Sequence, residues 1–122
     1  MTGQITSAAA ATPVVLIPES VVGAGRKVYV TSFVSKVNGA TLWATTANVK
    51  LQDTNTSAVD FATVAVAALT ANAVVHPATA NVTLADAYAL GTGGTAGKGL
   101  QLKGNANGTG STYVVTVSGV IK

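Results

Sequence analysis

Apolar and polar residues alternate over short stretches along this chain, with Gly, Pro, Asn and Ser between them, a pattern that predicts an all-β domain. Val49 and Leu51 alternate with Lys50 and Gln52, and Leu100 and Leu102 alternate with Gln101 and Lys103. Each set predicts a strand with one buried and one wet face. Residues 14–17 (VVLI) lie between Pro13 and Pro18, which suits a short strand at a sheet edge, where a missing N–H breaks no ladder. The run 27–37 is longer, with Val28, Val30 and Val34 on one face and Tyr29, Phe33 and Val37 on the other. Both faces of that strand read as apolar. Either a neighbouring subunit covers one of them, or both are covered inside a sandwich.

Turn chemistry divides the rest. Asn38-Gly39 tolerates the positive φ of a type I′ turn and predicts a hairpin joining 27–37 to a strand over 40–45. Tyr113, Val115 and Val117 alternate with Val114, Thr116 and Ser118, and the Gly/Asn-rich segment 104–110 predicts a closing hairpin back to 100–103. The segment 59–69 reads as strand, because Phe61, Thr63, Val64 and Val66 are aromatic or β-branched. The segment 82–90 reads equally well as strand or as one helical turn. Residues 91–99 (GTGGTAGKG) offer no large side chain to pack and predict a mobile surface loop. About eight short strands separated by turns predict a β-sandwich of jelly-roll type over residues 13–122, preceded by an extended N-terminal arm over 1–12.

Composition turns this outline toward a class of function. Of 122 residues only 9% are charged and 48% are hydrophobic, against roughly 25% charged in an ordinary soluble domain. Such a surface is poorly equipped to stay alone in water. Aromatics are 5%, so the core must be assembled from many small Val, Ala and Leu side chains, and no cysteine is present to staple it. Self-association is the remaining common source of stability, and a homo-oligomer or a subunit docked on a larger assembly is expected. The net charge of +3 is spread over Arg26, Lys27, Lys36, Lys50, Lys98, Lys103 and Lys122, with only Arg26 and Lys27 adjacent. A nucleic-acid partner would call for a clustered phosphate footprint with stacking aromatics, so none is expected. No basic residue precedes Arg26 and the apolar runs are short, so neither a secretory signal nor a membrane span is expected, and synthesis in the cytoplasm is.

The candidate chemistry is thin. A phosphate loop fails twice: Thr92 stands where the first glycine belongs, and Gly99 follows Lys98 in place of Ser or Thr. Gly91, Gly93 and Ala96 fit GxGxxA only loosely, with no βαβ context. Asp53, Asn55 and Ser57 open like a calcium loop, but Ala58 and Val64 occupy the glycine and bidentate-glutamate positions; residues 53–58 read as a turn in which Asp and Asn bond their own backbone. His76 has no second His and no Cys with which to share a metal, and no GxSxG elbow or paired acid and base is present. The acceptor triplets at Asn55, Asn81 and Asn107 read as chance matches in a chain without a secretion signal. No enzyme activity, cofactor or metal is expected. The candidate interface residues are Ile5 in the arm, Val14 and Leu16 on the Pro-flanked strand, Tyr29 and Phe33 on the two-faced strand, and Trp43, read either as core filler or as an interface anchor.

The C-terminal GKGLQLKGNANGTGSTYVVTVSGVIK, with KVYVTSFVSKVNGATLWATTANVKLQDT before it, resembles the small virion decoration or cement proteins of tailed bacteriophages. The resemblance lies in a Gly-Lys-Gly-Leu strand, a glycine-rich turn and a strand from Tyr113 to Val120 containing Ser118-Gly119. It implies a jelly-roll-like domain sitting as a homotrimer on the capsid exterior, with the major capsid protein as partner. It also implies a structural role, stabilising the shell by bridging capsomers, with the arm laid on the shell or a neighbour. The other readings are a glycan- or receptor-binding module of a phage fibre, using Trp43, Tyr29 or Tyr88 as a stacking platform, and a tail assembly subunit.

Overall fold

A computed structural model describes residues 1–6, 11–39, 48–104 and 111–122. Its strands are β1 (Thr2–Thr6), β2 (Val14–Ile17), β3 (Val28–Gly39), β4 (Val49–Asp53), β5 (Asp60–Val64), β6 (Val74–Val75), β7 (Val82–Leu84), β8 (Leu100–Gly104) and β9 (Ser111–Ile121). A single helical turn, α1 (Glu19–Val22), follows β2, and a 3-10 turn (Val66–Ala68) follows β5. The strands form two antiparallel sheets, a first in the order β1-β9-β3-β6 and a second in the order β2-β8-β4-β5-β7. The pairs β1·β9, β2·β8, β3·β6 and β4·β5 are nested, so the chain folds back on itself as one long ribbon and rolls into a sandwich. That is the jelly-roll arrangement, with β7 added beside β5.

The alternating strands behave as their pattern requires. Val49, Leu51, Leu100 and Leu102 are all buried between the sheets, and β2 lies at the edge of the second sheet, as its prolines demand. Phe61, Tyr113, Leu69 and Ile5 are the bulkier members of a core otherwise filled mainly by valines. Within the segment 59–69 the strand stops at Val64 and the 3-10 turn takes over; within 82–90, β7 covers only Val82–Leu84.

Five expectations are corrected. Asn38 and Gly39 make no hairpin turn; they continue β3, opposite Thr112 and Ser111. The strand expected over 40–45, with Trp43, lies outside the described residues. β8 and β9 form no closing hairpin, because they belong to different sheets, and the intervening 105–110 lies outside the described residues. Thr2–Thr6 is not an arm: it is the first strand of the roll, paired along β9 from Thr2 opposite Thr116 to Thr6 opposite Thr112, with Ile5 1% exposed. Ile5 is the one large aliphatic residue of that strand, and the neighbouring core supplies what it needs to bury.

The fourth correction concerns the two-faced strand. Val30 pairs with Gly119 and Ser32 pairs with Ser118, so Thr31 is an extra residue on β3, a β-bulge. Side chains alternate with period two, so one extra residue moves the inward set from even to odd numbers. Val28 and Val30 face the core before the bulge, whereas Phe33, Ser35 and Val37 face it afterwards, and Val34 is turned out to 49% exposure. The strand therefore has one buried face throughout.

The glycine-rich loop is tied down instead of mobile. Gly94 N–H donates to the Val28 carbonyl (2.9 Å), Gly97 N–H to Arg26 (2.7 Å) and, just upstream, Ala89 N–H to Val30 (2.7 Å). The Tyr88 hydroxyl donates to the Thr31 carbonyl at the bulge (3.1 Å). Residues 88–97 thus cover the edge of β3 that β6 is too short to reach, which protects it from pairing with another chain. Small size is what permits this: at Gly93, with φ +68°, a Cβ would lie 2.6 Å from the Tyr29 ring.

Between the sheets Tyr113 shares a short hydrogen bond with the Ser35 hydroxyl, which also donates to the Val75 carbonyl (3.0 Å). Burial pushes the phenol up to about 12, although the Ser35 bond acts in the opposite direction. An unfolded tyrosine ionises near 10, so between these values the unfolded chain sheds a proton that the native one keeps, and stability falls as pH rises. The expected loss is on the order of 2 kcal/mol. Urea midpoints across that alkaline range should drop for the wild type and stay flatter for Tyr113→Phe, which leaves Ser35 its bond to Val75.

Candidate interaction surface

The polar side chains with defined partners serve the fold. The Asp53 carboxylate is 0% exposed and accepts from the N–H groups of Asn55 (3.1 Å), Val59 (2.9 Å) and Thr95 (2.8 Å). Burial by itself would raise its pKa, but these bonds together outweigh it and hold the carboxyl below its ordinary range. Residues 53–58 form the turn expected of them, with Asn55 Nδ2 donating to the Ser57 carbonyl (3.3 Å). On the surface Glu19 accepts from Thr54 (2.8 Å) and Lys98 (3.1 Å), which lower its pKa in that order. His76 is exposed, and its Nδ1 accepts from Ala78 N–H (3.3 Å) within its own turn. Among the described residues no group of three His, Cys, Asp or Glu side chains converges on a point.

The sequence-predicted interface residues do not converge either. Ile5 and Phe33 are core residues, 1% and 4% exposed, and offer nothing to a partner. Val14 and Leu16 are half-buried, packed on the core, and Leu16 fills the space where any side chain at position 3 would sit, which is why β1 carries Gly3. Tyr29 is half-buried against Gly93, with Lys122 Nζ 5.2 Å from its ring centroid, and Tyr88 is held through its hydroxyl. Both rings are engaged within the chain.

What the fold does assemble is a sheet face. Inward-facing Tyr113, Val115 and Val117 of β9 leave Thr112, Val114, Thr116 and Ser118 pointing outward, and the register sets these beside Ser32, Val34, Lys36 and Asn38 of β3. Val74 of β6 lies opposite Lys36, and Thr2 and Gln4 of β1 opposite Thr116 and Val114. Val34 and Val74 are 49% and 56% exposed. Among the described outward positions of this sheet, Lys36 is the only charge.

No family model, curated protein or solved structure matches the chain.

The outer face of the second sheet carries more charged side chains than that of the first. It holds Lys50 directly across from Lys103, with Lys50 bound to Asp60 at 2.7 Å. The two faces of the sandwich therefore differ: one carries Lys50, Lys103 and Asp60, the other a single charge, Lys36, among short β-branched and hydroxyl side chains. The alternation in 111–121 contained the signal for this face. Its partner positions on β3 were hidden by the bulge, and those on β1 by reading 1–12 as an arm.

Proposed function

We propose that this chain is a structural virion protein that binds the outside of a phage capsid as a homo-oligomer, a trimer by its resemblance, and stabilises the shell by bridging neighbouring capsomers. The observation that carries the reading is the outer face of the first sheet, which holds a single charge, Lys36, among short side chains. Protein interfaces are depleted in Lys, Glu and Asp at their centres. Val, Thr and Ser also lose little rotamer freedom when covered, whereas Lys or Glu lose about 1.5–2 kcal/mol each. A face of this composition is inexpensive to bury. The sequence resemblance to decoration proteins and the low overall charge support the same reading.

The test pairs light scattering on the purified protein with its binding to undecorated phage capsids. The wild type is expected to self-associate and to sediment with the shells. The double variant Val34→Glu/Val114→Glu puts two charges on the face while leaving the core untouched, and should melt as the wild type does but bind shells at least tenfold more weakly, about 1.4 kcal/mol. A stable monomer that ignores capsids would count against the function; a variant that attaches normally would count against the face.

A further inference from the structure

The sandwich is open at one end. β3 and β8 begin there and β2 and β9 finish there, and between them a cleft of about 220 Å³ runs inward. Ile17 and Leu100 of the second sheet face Val28, Val30, Val117 and Ile121 of the first across it. The lining is almost wholly apolar, with Tyr29 its one side chain that carries a hydroxyl. An engineered apolar cavity of about 150 Å³ stays dry and takes up benzene, so a somewhat larger, one-sided cleft of the same lining suits a short alkyl chain.

The surroundings of the mouth are cationic. Arg26 Nη2 donates to the Ile121 carbonyl (3.2 Å) and Lys122 Nζ lies 5.2 Å from the Tyr29 ring centroid, Ile121 and Tyr29 both being lining residues, whereas Lys27 Nζ donates to the Thr92 carbonyl (3.4 Å). Lys27 and Lys122 are joined through their main chains, Lys27 N–H to Lys122 O at 2.8 Å. The anions at this end are engaged: Glu19 by Lys98 and Thr54, and Asp53 by three N–H groups in the interior. Asp86, in the adjoining loop, pairs with none of the three, and among the described residues the ion pairs are Lys50–Asp60 and Lys98–Glu19.

We infer that this cleft is a binding site for a single-chain anionic amphiphile, a medium-chain carboxylate whose alkyl tail enters between the sheets while its head group meets Arg26 and Lys122. The site is separate from the sheet face, so its failure leaves the capsid reading standing, and the reverse holds too.

The probe is octanoate, titrated below its micellar range into methyl-labelled protein. Saturable shifts of the Val28, Val30 and Val117 methyls are expected, with hexanoate weaker by about fourfold for each methylene removed. Octylammonium should bind more weakly than octanoate. Arg26→Gln changes one side chain outside the core and should weaken octanoate about threefold, since exposed charges contribute modestly. Lys122→Gln is a second variant acting in the same direction. The inference is overturned if octanoate leaves these methyls unmoved, or if octylammonium binds as well as octanoate. It is equally overturned if a Gly-Gly-Leu peptide carboxylate binds in its place, or if the methyls shift with protein concentration alone, which would make the cleft a contact between copies.

Discussion

Deleting residues 1–12 is expected to abolish cooperative unfolding at room temperature, because it removes the first strand of the roll and not an appendage. Ile5 is 1% exposed and sits opposite Tyr113 on β9, and the β1 ladder closes the edge of the first sheet. Losing a buried aliphatic side chain of this size costs about 2–5 kcal/mol when the backbone stays in place. Here the ladder hydrogen bonds go too, and β9 is left as an open edge above an uncovered core. Against a total of about 5–15 kcal/mol for a typical domain, that is most of the stability. Circular dichroism and a urea titration read the result directly. Ile5→Ala, with the strand retained, should stay folded but lose about 2–5 kcal/mol. A truncated chain that unfolded with the wild-type midpoint would restore the arm.

The second large effect is expected at Asp53. Its two oxygens serve three N–H groups from two separate loops, and the Thr95 bond joins positions 42 residues apart. Asp53→Ala leaves those donors without a partner in a site closed to water. Hydrogen bonds to a charged group contribute about 1.5–3 kcal/mol each and do not add simply, so a loss of about 3–5 kcal/mol is expected. Asp53→Asn keeps one acceptor oxygen for Asn55 and Val59 but turns an amide N–H₂ toward Thr95. It should loosen the glycine-rich loop selectively, seen as faster amide exchange at Gly94, Thr95 and Gly97 with the hairpin of β4 and β5 still protected. The pH dependence follows from the depressed pKa. The native carboxyl ionises below the unfolded value of 3.8. The stabilisation is therefore present above that value and is lost as pH falls through the native one. The wild type should show this acid loss, and Asp53→Ala should lack it.

Local pattern sufficed wherever one strand had one partner chemistry. Val49, Leu51, Leu100 and Leu102 were legible as buried because strict alternation leaves a strand only one face to hide. The Asp53 turn was legible because its first bonds reach only two and six residues ahead. Asn38-Gly39 misled because positive φ at Gly39 is compatible with a turn and equally with a strand end, and β9 was present to pair it.

By itself, then, the chain's alternation and turn residues determined an all-β sandwich with a small-residue core, since these properties follow from side chains acting one neighbour at a time. Tertiary structure alone decided which strands are nested, that Thr2–Thr6 belongs to the core, and that Thr31 bulges and so turns Val34 outward. It also decided that Val34, Val74 and Val114 share one face with a single charge, Lys36, and that Arg26 and Lys122 meet where the sheets part. Each of these depends on register between segments distant in sequence, and a shift of one residue there reverses the face of every side chain that follows.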